Sequence, residues 1–199
     1  MEATAGRTDF TTPFAIEPPR STAALRDSLR KLHRETGELL DEMSDEEFVG
    51  KQGSHWSPAE HLRHLATAMR ALSRGMAAPK AMLALRFGVT FKGSRTFEQV
   101  REAYRAALAA GGQAAGRFDP SARPLGLDPA RERALVLRRW REATSDLDSK
   151  IAAWSEASLD RLRAKHPLLG PMTVRELLYF TLYHNAYHAR RVHERRATS

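Results

Sequence analysis

Apolar side chains recur at every third or fourth residue along most of this chain, the spacing that places them on one face of an α-helix. The first such stripe follows a candidate N-cap at Ser21 and consists of Leu25, Leu29, Leu32, Thr36, Leu39, Leu40 and Met43. The second stripe consists of Leu62, Leu65, Met69, Leu72 and Met76. In front of it, Ser57, Pro58 and Glu60 have the order of an N-cap, a first helical residue and the partner in a capping box. Both segments are therefore predicted to be long amphipathic helices.

Two further stripes in the second half of the chain predict a third and a fourth long helix. The third covers residues 130 to about 157, with apolar positions at Leu137, Trp140, Thr144, Leu147, Ile151 and Trp154. The fourth follows a turn at 166–171, where Thr173 and Glu176 form another capping box, and continues to about residue 196. Each of these helices has one apolar face, which must be buried against another element.

The remaining segments complete the predicted fold. A short helix and a turn are predicted at 79–94, and a further helix at Phe97–Ala110. The stretch at 116–129 contains Pro and Gly and is predicted to be either a lid or a plain excursion. No segment shows convincing strand alternation. Four long helices with an insertion between the second and the third predict an all-α fold, a four-helix bundle. Residues 1–20 lack an apolar period and are interpreted as an extended arm before a bundle domain at 21–199.

Composition restricts the possible chemistry. The chain has 199 residues, a length that suits one domain, and it contains no cysteine. Disulfides, thiolate metal sites and a cysteine nucleophile are therefore excluded, so that a metal ion would have to be held by imidazole or carboxylate groups. No apolar run approaches the roughly 20 residues that cross a bilayer, and the first residues do not resemble a secretory signal. We therefore expect a cytoplasmic location and no membrane partner.

The chain is basic, with a net charge of +8, but its basic residues are spread along the sequence. The dense cluster lies near the C-terminus and comprises Arg190, Arg191, Arg195 and Arg196. Nucleic-acid binding would require clustered phosphate contacts, and neither a zinc finger nor an RNA-recognition signature accompanies the cluster. The distribution is more typical of solvated helix faces, and we expect no nucleic-acid partner.

Histidines are the candidate functional residues of this chain. His184 and His188 are four residues apart on the last helix, so about 40° separates them at roughly 100° per residue, and both fall on or beside its apolar stripe. A buried polar group without a partner costs about 1–3 kcal/mol, and one metal ion would satisfy both rings. For an isolated pair of this kind, an alternative of equal weight is that each ring is hydrogen-bonded to an ordinary core neighbour and binds no metal. A third ligand would come from His61 or His64 on the second helix, and periodicity alone favours His61, which is nearer the leucine stripe.

Three motifs occur in order along the chain: W-S-P-A-E-H-L-R-H-L at 56–65, H-P-L-L-G-P-M-T-V-R-E-L-L at 166–178, and H-N-A-Y-H at 184–188. Together they make the region from about residue 21 to 193 resemble the DinB-like (YfiT-like) superfamily of four-helix bundles with a three-histidine metal site. The resemblance implies that His64, His184 and His188 are the metal ligands. His61 then becomes an outer partner or a substitute ligand.

One position departs from the family pattern, which often reads H-x-x-Q-[IV] after the last ligand. This chain has Arg191 in the place of the Gln. An Arg there either is solvated or brings a positive charge to the edge of a pocket, where it would favour an anionic substrate. Tyr187 stands between the two ligands of the last helix and could reach a substrate.

Three neutral imidazoles leave at least one coordination position of a metal ion open, as in catalytic zinc sites. Imidazole suits several divalent transition metals, and we expect zinc or nickel. The resemblance implies a metal-dependent enzyme of hydrolase type, or a transferase that uses a low-molecular-weight thiol as co-substrate, acting on a small-molecule substrate; it also allows a homodimer. The alternative is a non-catalytic bundle that binds a metal or a small ligand. It is favoured by the lack of an obvious general base, because Glu60, the nearest carboxylate, is expected to serve as a helix cap.

Overall fold

A computed structural model describes residues 13–122 and 126–197, and it confirms a mainly helical fold. The helices are α1 (Thr22–Asp41), α2 (Asp45–Val49), α3 (Pro58–Ala77), α4 (Lys80–Phe87), α5 (Phe97–Ala109), α6 (Pro129–Ala152), α7 (Glu156–Arg161) and α8 (Val174–Ala197); the strands are β1 (Arg163–His166) and β2 (Gly170–Thr173). The long helices α1, α3, α6 and α8 form the bundle. Both α6 and α8 pack against α1 and against α3, so that the four helices surround a common core.

The helix starts lie where the caps predict them. Ser21 accepts a hydrogen bond from the backbone N–H of Ala24 at the start of α1. Ser57 and Glu60 form the predicted capping box of α3. Thr173 and Glu176 form the same reciprocal pair of bonds at the start of α8. These local side-chain bonds satisfy backbone N–H groups that have no partner within the helix.

The end of the third long helix is not where the apolar stripe predicts it. α6 ends at Ala152, and Trp154 lies beyond it, buried, with its indole N–H donating to the carbonyl of Met76 on α3. Ser155 then caps the separate short helix α7. An apolar side chain at the correct spacing can therefore reach the core from a turn, so the stripe overestimates the length of the helix by about one turn.

The expectation that the chain contains no strand is wrong for residues 163–173. There β1 and β2 pair in antiparallel register, with Arg163 opposite Thr173 and His166 opposite Gly170. Each strand has four residues, too few for apolar and polar positions to show a readable alternation. Gly170 has a φ of 71°, a conformation that glycine adopts without strain. The hairpin leads directly into α8.

The insertion between α3 and α6 lies on the bundle. α5 packs against α8, and the two 3₁₀ turns at Gly116–Phe118 and Pro120–Ala122 contact α3. Residues 116–122, the first part of the stretch predicted to be a lid or an excursion, therefore pack against the helix that carries His61 and His64. None of the helices in the described ranges combines the length and apolar character of a membrane span.

The described part of the N-terminal arm also contacts the bundle. Phe14 is 2% exposed, and its carbonyl accepts a hydrogen bond from the guanidinium of Arg190 on α8. The hydroxyl of Tyr179, also on α8, donates to the carbonyl of Pro19. Residues 13–20 are thus tied to α8 by side-chain bonds, whereas the preceding residues of the predicted arm lie outside the described part of the chain.

Candidate metal centre

The structure brings His64 of α3 together with His184 and His188 of α8. The Nε2 atom of His184 lies 2.9 Å from Nε2 of His64 and 3.0 Å from Nε2 of His188. All three side chains are buried, and one ring nitrogen from each lies within 4.8 Å of the other two. The cluster joins two helices that are far apart in sequence.

Hydrogen bonds alone cannot satisfy this arrangement. A neutral imidazole nitrogen carries either one proton or one lone pair, both directed along a single line in the ring plane. Nε2 of His64 presents a lone pair, so Nε2 of His184 would have to donate to it, and that single N–H cannot also point at Nε2 of His188. A cation that accepts the lone pairs of all three nitrogens removes this conflict. The donor set therefore fits a divalent transition metal, for which imidazole is a common ligand.

The protonation of the rings is compatible with metal binding. Burial lowers the pKa of His64, against a smaller opposing effect of its bond to the Phe118 carbonyl. Burial and the neighbouring histidines hold the pKa of His184 and His188 well below the usual value. All three rings are thus neutral at neutral pH, which is the form that binds a metal.

An outer contact fixes the ring of His64. Its Nδ1 lies 2.6 Å from the carbonyl oxygen of Phe118, which can only accept, so Nδ1 carries the proton and the Nε2 lone pair faces the cluster. Such a bond from the far nitrogen to a carbonyl is the usual second contact of a metal-binding histidine. The insertion therefore helps to orient a candidate ligand, a contribution that the sequence did not reveal.

His61 lies beside the cluster rather than within it. Its Nδ1 is 2.7 Å from Nδ1 of His188, on the opposite side of the His188 ring from Nε2. A proton on Nδ1 of His188 would be donated to His61, which leaves Nε2 of His188 free for a metal. Periodicity favoured His61 because it treats the leucine stripe as the centre of the buried face. However, α3 packs against both α6 and α8, so its buried face is broader than that stripe and includes His64.

We expect His61→Gln to retain about one metal ion per chain but to bind it roughly 10- to 100-fold more weakly, the usual effect of losing an outer partner of a metal ligand. His64→Gln should instead lose the metal. Metal stoichiometry after dialysis and competition with a chromogenic chelator measure the two quantities. If His61→Gln loses the metal and His64→Gln keeps it, the assignment of these two residues must be reversed.

A cavity of about 1070 Å³ opens beside the three histidines. Much of its wall is apolar, with contributions from Leu72, Met76, Leu83, Leu108, Val174 and Leu177. Its lining includes Tyr104 and Tyr187. Concave sites with apolar walls and a few polar groups are typical of small-molecule binding.

The charged lining residues are mostly basic. Arg191 is one of them; its side chain is 53% exposed, and its guanidinium lies 6.0 Å from the centre of the Tyr187 ring. Both interpretations of Arg191 therefore hold in part, because it is solvated and also lies at the edge of the cavity.

Glu60 acts as the expected cap and also pairs with Lys51.

A carboxylate that the sequence analysis missed, Asp119, lines the same cavity. It follows Phe118 directly and interacts electrostatically with His64. Hydrogen bonds from the hydroxyl and backbone N–H of Ser121 lower its pKa, so it is ionised at neutral pH. Asp119 stands in a Pro- and Gly-containing stretch without periodicity, and nothing in the sequence indicated where that stretch would lie.

Comparison with known proteins identifies the family. A search of curated proteins gives no significant match, and neither does a search of solved structures. The sequence model of the DinB superfamily matches residues 28–192, which include all four bundle helices in whole or in large part and the three clustered histidines. The chain belongs to the DinB superfamily.

Proposed function

We propose that this protein is a metal-dependent enzyme in which His64, His184 and His188 hold one divalent ion, zinc or nickel. The convergence of three neutral, buried Nε2 atoms beside a large cavity carries this proposal. An ion held by these three side chains would have a coordination position free for a water or thiol group and would lower the pKa of that group. The cytoplasmic location and the homodimer stay predictions from the sequence.

The proposed reaction is either transfer to a low-molecular-weight thiol or hydrolysis, the two types that the family resemblance implies. A pocket for one small ligand typically measures about 300–1,000 Å³. The cavity of about 1070 Å³ lies at the upper end of this range, a size that suits a small substrate with a thiol or water molecule as the second reactant. Since the chain has no cysteine, the thiol must be a co-substrate.

Asp119 is proposed to orient the nucleophile and to accept its proton. Its ionised carboxylate can accept a hydrogen bond from a thiol or a water molecule close to His64. The bonds from Ser121 hold the carboxylate in place, and Tyr187, whose ring contacts that of His188, also lines the cavity. Ser121 and Tyr187 supply positioning, while the apolar wall holds the body of the substrate away from bulk water.

The test uses the metal-loaded protein with monochlorobimane and a panel of low-molecular-weight thiols, and in parallel with p-nitrophenyl acetate in water. In the first reaction the sulfur forms a bond to the carbon that carries chlorine, chloride leaves, and the thiol proton passes to Asp119 or solvent. We expect turnover that requires the metal and that falls about 100-fold in Asp119→Asn, the scale of a lost acid–base group, without loss of metal. The measurement is the initial rate of the fluorescent or coloured product.

Glu194→Gln is the matched control, because Glu194 is another carboxylate that lines the cavity, with Arg191 3.9 Å from it. It should retain most of the activity. Equal rates with and without metal, for every thiol and for water, would contradict the enzyme proposal and leave the non-catalytic metal- or ligand-binding bundle as the function.

A further inference from the structure

His166, at the end of β1, is held in one protonation form by its own hairpin. Its Nδ1 accepts hydrogen bonds from the backbone N–H groups of Leu168 and Leu169, at 3.2 and 3.1 Å. A nitrogen that accepts cannot carry a proton, so the proton of the neutral ring is on Nε2. This N–H makes no hydrogen bond to any residue in the described ranges, and His166 lines the cavity. The ring is therefore a fixed donor.

Tyr104 of α5 offers a second donor in the same cavity. Its side chain is 5% exposed, and its hydroxyl has no hydrogen-bond partner within the described part of the chain. A phenol has an ordinary pKa of about 10, so Tyr104 carries its proton at neutral pH and can donate it. The hydroxyl is open to the cavity rather than enclosed by the protein, so it can donate to an acceptor that binds there.

One aromatic ring links the two donors to the metal centre. The ring of Phe180 lies 5.0 Å from that of Tyr104 and 4.2 Å from that of His166, and it stacks on His184 at 5.0 Å. Tyr104 also contacts His184 directly, with 5.8 Å between the ring centres. Both donors therefore lie on the wall that carries one of the candidate ligands.

We propose that Tyr104 and His166 form an oxygen-binding subsite of the cavity, which takes the carboxylate or carbonyl oxygen of a small molecule with an apolar body. This proposal rests on the proposed function in that it treats the cavity as the substrate site. Leu108 and Leu177 supply an apolar wall for the body of the molecule. Lys165 and Arg191, which also line the cavity, favour the anionic carboxylate.

His166 acts here by donation and not as a base. Its Nδ1 lone pair is used by the backbone of the hairpin, and its Nε2 already carries a proton. Burial lowers the pKa of His166 to about 4, so the ring remains neutral at neutral pH. Two neutral donors can bind an oxygen atom without adding a charge to the cavity.

The experiment measures binding of hexanoate to metal-free protein by calorimetry, with hexylammonium, a donor of similar size, as the contrasting probe. Tyr104→Phe removes the hydroxyl alone. His166→Asn removes the Nε2–H but keeps an acceptor, since an Asn side-chain oxygen can take the backbone N–H groups that Nδ1 binds. Each variant should weaken hexanoate binding about ten- to a hundredfold, the effect of one hydrogen bond to an ionised carboxylate. Hexylammonium should bind far more weakly than hexanoate.

A second measurement is NMR spectroscopy of the folded protein with ¹⁵N-labelled histidine. His166 should show the Nε2–H form, and its resonances should move when hexanoate is added. No binding of hexanoate by the wild type, or unchanged binding in both variants, would overturn the subsite. Because the protein is metal-free, these outcomes are independent of metal content, which is measured separately and bears on the proposed function.

Discussion

Purified protein should contain about one divalent transition metal ion per chain, and His64→Ala, His184→Ala and His188→Ala should each reduce this content to near zero. Each change leaves two imidazoles, which cannot enclose the ion, and removes a ring that is buried against the other two. The measurement is elemental analysis after dialysis against zinc or nickel and then against metal-free buffer. Zinc and nickel are tested separately, because imidazole ligands suit both.

Exposed histidines provide the matched controls. His55→Ala and His193→Ala remove imidazoles from the surface and should leave the metal content unchanged. Circular dichroism should show that all variants keep their helices. Full metal content in any two of the variants His64→Ala, His184→Ala and His188→Ala would mean that the ion, if one binds, is held elsewhere.

The sequence predicted those parts of the fold that depend on neighbouring residues. Ser21, Ser57 and Thr173 mark helix starts correctly because a cap bonds to a backbone N–H three residues away. The end of α6 could not be read in this way. Trp154 has the correct spacing for the helical stripe, yet it reaches the core from a turn whose position depends on α3. The hairpin was missed because its strands are short.

The candidate site likewise contains residues that could be predicted from the sequence and residues that could not. His184 and His188 could be paired from their four-residue spacing, which sets their relative direction on one helix. The choice of His64 needed the family pattern, because periodicity does not indicate that α3 packs against two helices. Phe118 and Asp119 could not be found from the sequence, since their contact with His64 depends on the path of an irregular segment.

Removal of the metal should lower the melting temperature by roughly 5–10 °C without abolishing helical structure. A ligand that binds only the folded state stabilises it by RT ln(1 + [L]/Kd), which is about 2.7 kcal/mol at a hundredfold excess over Kd. For a chain of this length, 1 kcal/mol corresponds to about 2–4 °C. The metal would join α3 to α8, but the apolar core of the bundle does not depend on it. Thermal melts followed by circular dichroism, with and without a chelator, measure the difference.

The alanine variants of the three candidate ligands distinguish the loss of metal stabilisation from a simple loss of packing. His64→Ala, His184→Ala and His188→Ala should melt lower than the wild type and should show little further change with chelator, because no ion remains to be removed. His193→Ala should respond to chelator as the wild type does. An unchanged melting temperature on removal of the metal would mean that the three histidines are packed residues or bind an ion too weakly to matter. Complete unfolding would instead indicate a structural ion, which is normally closed by four protein ligands, and would argue against an open position for a substrate.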